Sequence, residues 1–405
     1  MKKLKILYIT SGFNHSYPHR FIDQFISTSL KSISHKTKVF QLNKDIDWQS
    51  QLFAAIEVFF PDFVFTIHGV NMSESVVQKI KNYGVKMGIW FVDDPYDIDA
   101  SKQRLYSYDF VFTNEKECVS VYERYGFDKV YYLPLGVQTR YYYPENPPEK
   151  YRSDICFVGS PFPKRVEIIK FLYSRLPEMH IKIIGPHWNK HLPENADLIG
   201  YPLGPDEIRK YYNGAKINLN IHRGDTEHIV VGQNLNTEGI KAKSPNNRTF
   251  DIAACKAFQL ANFRPGLKNY FDLENELITF KDKDDLVEKI IYYIDHVEER
   301  NRIATNGYKR TISQHRFENR LEKMMDIVKE HLQQEIRYLT SPQMIKQGRL
   351  VKSNKAAVYF IINGKKHLIQ NVRTFNSLGF DWKDIEVFSQ KEIDQIPGGV
   401  TIKIE

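Results

Sequence analysis

The sequence is poor in cysteine. Cys118, Cys156 and Cys255 are its three thiols among 405 residues, an odd number separated by long stretches of chain. Such spacing supports neither a disulfide framework nor a cysteine-based zinc site. The cysteine content therefore argues against a small disulfide-stapled secreted domain and favours a reducing, cytoplasmic environment.

Long apolar runs are also missing. No stretch approaches the roughly 18 consecutive apolar residues that a membrane-spanning helix needs, so we expect no transmembrane segment. The positively charged start resembles that of a signal peptide, but Lys5 interrupts its apolar run, which ends at Ser11 and Gly12. Residues 1–10 are therefore predicted to form a first β-strand and not a signal peptide.

Blocks of one charge sign are absent as well. Fifty-seven Lys and Arg residues against 49 Asp and Glu residues give a net charge of +8, which favours anionic partners such as phosphates. An evenly solvated basic surface would also explain this charge. Because no long Lys/Arg block, zinc-finger pattern or RNA-recognition pattern occurs, we predict no nucleic-acid partner.

What the sequence does contain is two series of alternating strand-like and helix-like segments. The first has six strands between residues 6 and 133, and a proline-rich linker follows at residues 144–149. The second series repeats the alternation, which is typical of parallel sheets covered by helices. We expect an α/β protein with two Rossmann-like lobes, at residues 1–143 and 150–315, and a cleft between them.

The remaining chain differs in character. A closing helix is predicted over residues 316–340, followed by a small α+β domain over residues 345–405. Within that domain, Asn363 and Gly364 after an apolar run predict a β-hairpin turn. Exposed aromatics with Lys365, Lys366 and His367 suggest glycan or coat-partner binding, and a small packed module is the alternative.

Ligands of open parallel sheets bind at the carboxyl ends of the strands. In the second lobe a strand is followed by Gly159 and Ser160, then by Lys164 and Arg165 at a helix start. Small residues, a helix N-terminus and two cations together predict a phosphate site. A plain strand-to-helix turn with solvated cations is the alternative.

Two further strand ends carry candidate ligand contacts. Pro186, His187 and Trp188 follow the next strand, where a ring could stack on a nucleobase, although buried packing of Trp188 is equally compatible. His222, next to Arg223, closes another strand among polar residues. Polar crowding at that edge predicts a pocket rather than core.

The strongest local pattern is the segment from Asn246 to Cys255. Asn247 and Thr249 are predicted to cap a helix. Arg248 and Thr249 are predicted to contact phosphate, and Asp251 to accept from ribose hydroxyls. An ordinary capped helix with small residues for close packing is the alternative. Either way, a helix is expected from Arg248 to Ala257.

In the first lobe, His68, Asp93 and Asp94 follow adjacent strands. An imidazole or carboxylate facing the cleft can orient or deprotonate an acceptor hydroxyl. Alternatively, Pro95 makes Asp94 a turn residue and His68 is a satisfied core histidine. The Asp97-Ile98-Asp99 triplet has the spacing of a metal-binding pair but lies beside no other oxygen ligands, so no catalytic metal is predicted.

Taken together, these segments resemble the CgeB-like family of spore-maturation glycosyltransferases over about residues 60–325. The resemblance is carried by Trp90 to Pro95, Leu133 to Val137, Tyr143 with Pro144, Phe157 to Ser160, Asn247 to Cys255, Phe258 to Leu260, Arg302 to Tyr308, His315 and Arg320. It implies the GT-B architecture: two Rossmann-like lobes, the donor nucleotide on the second, the acceptor toward the first. By analogy, Gly12, His15 and His19 approach the donor phosphates or the acceptor.

The resemblance further implies transfer of a sugar from a nucleotide-sugar, expected to be UDP-linked, to a glycan or spore-coat acceptor, without cofactor and with spore association. The family usually has Glu where this chain has Asp251, and Gly where it has Lys256. Lys256 is expected to disturb close helix-to-strand packing, with altered donor geometry or reduced activity. A non-catalytic structural or glycan-binding spore protein and a nucleotide-sugar epimerase are the alternatives.

Overall fold

The computed structural model describes residues 3–13, 17–105, 108–227 and 233–404, with Tyr17 and Pro18 described as backbone alone. His15, one of the residues predicted by analogy to approach the cleft, lies outside the described residues. The described chain forms two lobes, each built on a parallel sheet, followed by a smaller sheet domain.

The first lobe, called the acceptor lobe below, has a six-stranded parallel sheet in the order β2-β1-β3-β4-β5-β6. Its strands are β1 (Lys5–Ile9), β2 (Lys36–Phe40), β3 (Phe63–Ile67), β4 (Lys86–Phe91), β5 (Phe110–Thr113) and β6 (Val130–Tyr132). Its helices are α1 (Tyr17–Ser29), α2 (Trp48–Phe59), α3 (Glu74–Lys81), α4 (Ile98–Lys102) and α5 (Lys116–Arg124). Every residue of β3 and β5 is buried, as expected for strands covered on both faces.

The second lobe, called the donor lobe, repeats this design with the strand order β12-β11-β10-β7-β8-β9. Its strands are β7 (Ser153–Val158), β8 (Ile181–Ile184), β9 (Asp197–Ile199), β10 (Ala215–Asn220), β11 (Gln259–Asn262) and β12 (Ile278–Phe280). Its helices are α6 (Pro163–Arg175), α7 (Pro205–Gly214), α8 (Asn247–Ala254), α9 (Lys283–Asp295) and α10 (Val297–Gln314). The predicted pair of Rossmann-like lobes is confirmed. The edge strands β9 and β12 of this sheet were not predicted.

Helix α11 (Phe317–Leu339) leaves the donor lobe and returns to the acceptor lobe. Glu318 accepts a hydrogen bond from Gln138, and Arg320 donates to the carbonyl of Leu135. Apolar residues of α11 join one core cluster that spans both lobes, so the helix ties them together. Within the described ranges, no helix is both long enough and apolar enough to cross a membrane.

The C-terminal domain contains a five-stranded sheet in the order β16-β13-β14-β15-β17. Its elements are α12 (Pro342–Gln347), β13 (Arg349–Lys352), β14 (Val358–Ile362), β15 (Lys365–Ile369), α13 (Val372–Ser377), β16 (Ile385–Val387), α14 (Gln390–Gln395) and β17 (Gly398–Ile402). Asn363 and Gly364 turn between β14 and β15 with φ of 51° and 71°, so the predicted hairpin is confirmed.

Contacts with the acceptor lobe anchor this C-terminal domain. The amide of Gly398 donates to the carbonyl of Asn82, and Lys403 pairs with Asp62. The suggestion that Lys366 and His367 belong to an exposed binding patch is wrong. His367 is buried against the carbonyl of Val400, and the Lys366 ammonium donates to a backbone carbonyl within the domain.

Candidate active site

A cleft of about 440 Å³ lies where the two lobes meet. Parallel strands end at the same edge of a sheet, so loops that are far apart in sequence converge there. Residues predicted from the sequence that line the cleft are Asp93, Asp94, Ser160, Arg165, Pro186, His222, Asn247, Arg248 and Asp251, and His19 lines it as well. The structure therefore gathers most of the predicted residues into one site.

Two guanidinium groups converge on Gly159 at the end of β7. A Cβ atom at Gly159 would lie 3.1 Å from Nη1 of Arg165 and 3.2 Å from Nη2 of Arg248. Arg165 donates hydrogen bonds to the carbonyls of Ile221 and Ser160, neither of which carries a negative charge. Burial and the neighbouring Arg248 charge lower the pKa of Arg165. This crowding of positive charge suits an anionic ligand.

Two more arginines reach the same cleft. Arg223 lies over the ring of Tyr96, 3.9 Å from its centre, and Arg264 donates to the Tyr96 hydroxyl and to the carbonyl of Arg223. Sequence reasoning did not select Arg264, although it follows the end of β11 by two residues. Applying the strand-end rule to that strand would have found it.

Several buried polar atoms in the cleft have no partner within the described chain. They include Nε2 of His222, Nη2 of Arg223 and Oδ1 of Asp251. Nδ1 of His222 lies 2.9 Å from Oδ1 of Asn262, which can only accept, so Nε2 is left as an acceptor. Burial, followed by the charge of Arg264, lowers the pKa of His222 well below its usual range. Unpaired buried polar groups of this kind point to a polar ligand.

Helix α8 begins differently from the prediction. Asn246 caps it by accepting from the amide of Thr249, so the cap is neither Asn247 nor Thr249. The Thr249 side chain is fully buried, and its hydroxyl bonds to Asn246 and Asn220. The predicted phosphate contact of Thr249 is therefore wrong.

Asp251 lies one turn into α8 and faces the cleft from a buried position. Its Oδ2 accepts from Nδ2 of Asn247 at 3.2 Å. Burial raises the pKa of Asp251 well above its usual range, and the charge of Arg248 opposes that shift without cancelling it. Oδ1 of Asp251 has no partner among the described residues, so this oxygen is left for a ligand hydroxyl.

Besides Thr249 and His68, four predicted residues do not line the cleft. Trp188 is fully buried against Phe157, and its Nε1 donates to the carbonyl of Gly159, so stacking on a nucleobase is excluded in this arrangement. Lys164 is exposed, with its amide bonded to Glu227. His187 is exposed in a left-handed turn. At Gly12 a side chain would collide with Leu42.

On the acceptor side, one carboxylate lies between two imidazoles. Oδ2 of Asp93 is 2.7 Å from Nε2 of His19 and 3.1 Å from Nε2 of His68. Burial opposes ionisation of Asp93, but the hydrogen bond with His19 and the nearby His68 imidazole hold its pKa well below the usual range. Burial likewise lowers the pKa of His19, but the hydrogen bond and charge of Asp93 outweigh it and raise that pKa overall. His19 and Asp93 line the cleft, whereas His68 lies behind them.

Asp94 has a different environment from its neighbour. It is buried, and its Oδ2 accepts from the hydroxyls of Thr113 and Tyr122 at 2.6 and 2.7 Å. Burial raises the pKa of Asp94 to about 6 despite these hydrogen bonds. The side chain therefore anchors the loop after β4 to β5 and α5, and its contacts match a positioning role better than the predicted contact with an acceptor.

A donor-lobe loop, residues 233–246, is bonded to the acceptor lobe. Glu115 accepts from the amides of Lys243 and Ser244, and Glu238 pairs with Lys102 and Arg124. This loop leads directly into the cap of α8. These contacts hold the loop that leads to α8 and Arg248 against the acceptor lobe.

Lys256 follows the end of α8 with φ of 55°, a left-handed conformation that favours glycine. Its side chain is exposed, so the expected disturbance of helix-to-strand packing is wrong. The backbone conformation explains the glycine that the resemblance implies at this position. It also explains why α8 ends at Ala254 and not at Ala257.

We expect Lys256→Gly to raise the free energy of unfolding by about 0.5–1 kcal/mol, since relief of left-handed strain exceeds the extra entropy of glycine in the unfolded chain. Urea denaturation followed by circular dichroism measures this change. Lys256→Ala keeps the strain and should show no gain. Equal stabilisation by both variants would mean that the lysine side chain, not its backbone, is unfavourable.

Sequence comparisons with known proteins found a matching family and a similar protein. The Glycosyl transferase-like family matches residues 164–326. Spore protein CgeB of Bacillus subtilis (strain 168) is 32% identical over 334 residues, covering 80% of this chain and 98% of that protein.

Among solved structures, three proteins of low sequence identity share the two-lobed fold. Sucrose-phosphate synthase from Thermosynechococcus elongatus is 11% identical with a TM-score of 0.57, covering 81% of this chain and 99% of that one. A glycosyltransferase from Rickettsia africae is 15% identical with a TM-score of 0.54, covering 82% and 99%. Anabaena HepE, solved in complex with UDP and glucose, is 10% identical with a TM-score of 0.54, covering 81% and 100%. These likenesses confirm the GT-B fold.

Proposed function

Because the chain belongs to the CgeB family and has the GT-B fold of glycosyltransferases, we propose that it transfers a sugar from a UDP-sugar to a hydroxyl of a spore-coat or cell-surface acceptor. The observation that carries this proposal is the convergence of Arg165 and Arg248 on Gly159. Positive charge at this place meets the diphosphate, and it stabilises the charge that develops on the leaving nucleotide.

The unpaired polar atoms of the donor lobe support a proposed position for the rest of the donor. Nε2 of His222 accepts from one sugar or ribose hydroxyl, and Asp251 bonds to another. Pro186, beside Gly185 at the end of β8, faces the cleft where a base can lie against it. The choice of uridine draws on the UDP and glucose bound by HepE, which is a property of that protein.

In the acceptor lobe, His19 is the group proposed to receive the proton. The ionised Asp93 can only accept, so Nε2 of His19 carries the hydrogen that they share, and Nδ1 holds a lone pair. The acceptor oxygen bonds to the anomeric carbon, the bond from that carbon to the diphosphate oxygen breaks, and the hydroxyl proton passes to His19. Asp93 orients the imidazole and stabilises its charge.

Reaction without a metal cofactor is part of the same proposal. Arg165, Arg248 and Arg223 supply the positive charge that a divalent ion supplies in other transferases. Asp99, one half of the Asp-x-Asp triplet, is held by Lys102 and by the amide of Thr237. Because its carboxylate already makes these contacts, Asp99 is a poor ligand for a metal ion that would bind the sugar diphosphate.

A binding screen tests the proposal directly. We expect calorimetry to show one site for UDP, and weaker or no binding of GDP, dTDP and ADP. Mass spectrometry of products then separates transfer from epimerisation, which needs a single substrate and no acceptor. Absence of binding for all four nucleotides would refute the proposed function. UDP binding without any turnover of UDP-sugars would favour a structural or glycan-binding spore protein.

A further inference from the structure

The cluster of His19, His68 and Asp93 has the donor set of a metal site. One nitrogen of each imidazole and a carboxylate oxygen of Asp93 lie within 4.8 Å of one another. Nε2 of His19 and Nε2 of His68 lie 2.7 and 3.1 Å from Oδ2 of Asp93. Two imidazole nitrogens and one carboxylate oxygen, with a further position open to solvent, are typical of three-ligand zinc sites. His19 and Asp93 line the cleft, so the open position faces it.

His68 gives independent evidence that this cluster is built for a ligand. Its Nε2 is buried and makes no hydrogen bond with any described residue, and the residue is only 7% exposed. Nε2 of His68 lies 3.1 Å from Oδ2 of Asp93, but the angles of this contact are not those of a hydrogen bond. His68 also has φ of 60°, which is uncommon for a residue other than glycine. Strained backbone that aims an unpaired imidazole at a carboxylate is typical of functional sites.

The distances suit a small ion after a minor adjustment. A tetrahedral ion with bonds of about 2.0–2.1 Å holds its ligand atoms about 3.3 Å apart. The 3.1 Å separation of Asp93 and His68 is close to that value, and the 2.7 Å separation of Asp93 and His19 must widen slightly. The Asp93 side chain is 34% exposed, so its carboxylate has room to move toward the cleft.

We infer that His19, His68 and Asp93 bind a divalent first-row transition ion such as Zn²⁺, and that the bound ion inhibits sugar transfer. The inhibition rests on the proposed function, whereas the binding does not. Mg²⁺ prefers octahedral oxygen ligands, so this nitrogen-rich cluster selects against it.

The tautomer of His19 explains the inhibition. A neutral imidazole carries one proton, which lies on Nε2 while that nitrogen donates to Asp93. An ion on Nε2 takes the lone pair there, so the proton moves to Nδ1 and that nitrogen no longer accepts. The ion also draws Asp93 away from the imidazole. Metal binding and proton acceptance by His19 therefore exclude each other.

Titration of the EDTA-treated full chain with Co²⁺ tests the site without any assay of turnover. We expect one equivalent to give the visible absorption of four-coordinate Co²⁺, displaced by Zn²⁺ and unaffected by excess Mg²⁺. His68→Ala should weaken Co²⁺ binding at least tenfold. His180→Ala is the matched control, because His180 forms an equally short 2.7 Å pair with Asp197 outside the cleft, and it should bind as the unmodified chain does.

No stoichiometric Co²⁺ binding, or equal binding by His68→Ala, would overturn the site. With UDP-sugar turnover measured in parallel, Zn²⁺ should inhibit and EDTA should reverse the inhibition, while Mg²⁺ should have no effect. Stoichiometric Co²⁺ binding with no inhibition, or with activation, would overturn the inhibitory role. If no turnover occurs at all, the proposed function fails while the Co²⁺ titration still decides whether the metal site exists.

Discussion

Replacing Arg248 with alanine is expected to weaken UDP binding by about 10- to 100-fold. A charge-assisted hydrogen bond contributes about 1.5–3 kcal/mol, and about 1.4 kcal/mol corresponds to a tenfold change in affinity. Because Arg248 and Arg165 approach the same point at Gly159, the loss of one leaves the other to bind the diphosphate less well. Calorimetry with UDP measures the effect.

Two variants control for changes that are not specific to the site. Arg152 is half exposed and pairs with Glu149 at the surface, so Arg152→Ala removes the same charge without touching the cleft and should bind UDP normally. Arg248→Lys keeps the charge and should recover part of the affinity. Unchanged UDP affinity in Arg248→Ala would show that the arginine pair does not bind the donor. It would favour the alternative of a non-catalytic structural or glycan-binding spore protein.

The change Asp93→Asn is expected to lower kcat by about 10²- to 10⁴-fold, the range that positioned acid–base groups contribute. An amide keeps the size of the carboxylate but cannot stabilise a charged imidazole, so His19 loses both its orientation and its proton affinity. Affinity for UDP should stay within about twofold because Asp93 belongs to the acceptor lobe. Steady-state kinetics combined with calorimetry separates these two effects.

The pair formed by His180 and Asp197 again provides a matched control. It reproduces the 2.7 Å contact on the donor lobe outside the cleft, so Asp197→Asn should leave kcat unchanged. A loss of UDP affinity in Asp93→Asn that equals the loss of turnover would place Asp93 at the donor and not at the acceptor. Normal turnover in that variant would remove it from the mechanism.

Helix α8 shows which features of the site the local sequence pattern can predict. The segment from Asn247 to Asp251 was expected to open a helix beside the nucleotide, and it does line the cleft. The cap, however, is Asn246, and Thr249 points into the protein. Three neighbouring polar residues could each cap a helix, and only packing against Asn220 selects among them.

Other errors have the same origin. Trp188 and Lys164 carry chemistry that suits a nucleotide, but burial of one ring and outward orientation of one ammonium are decided by neighbouring elements. His19 was placed near the acceptor by analogy alone, whereas its contact with Asp93 arises because α1 brings it to the loop after β4, 74 residues away in sequence. No local spacing encodes that contact.

The sequence by itself determined the two parallel sheets, the hairpin at Asn363 and Gly364, and the strand ends at which the site lies. Those features follow from periodicity and turn chemistry, which act over a few residues. Only the tertiary structure decided which polar groups face the cleft, why residue 256 favours glycine, and that two histidines share one carboxylate. These outcomes depend on contacts between distant segments, and their energies are set by burial and by neighbouring charge.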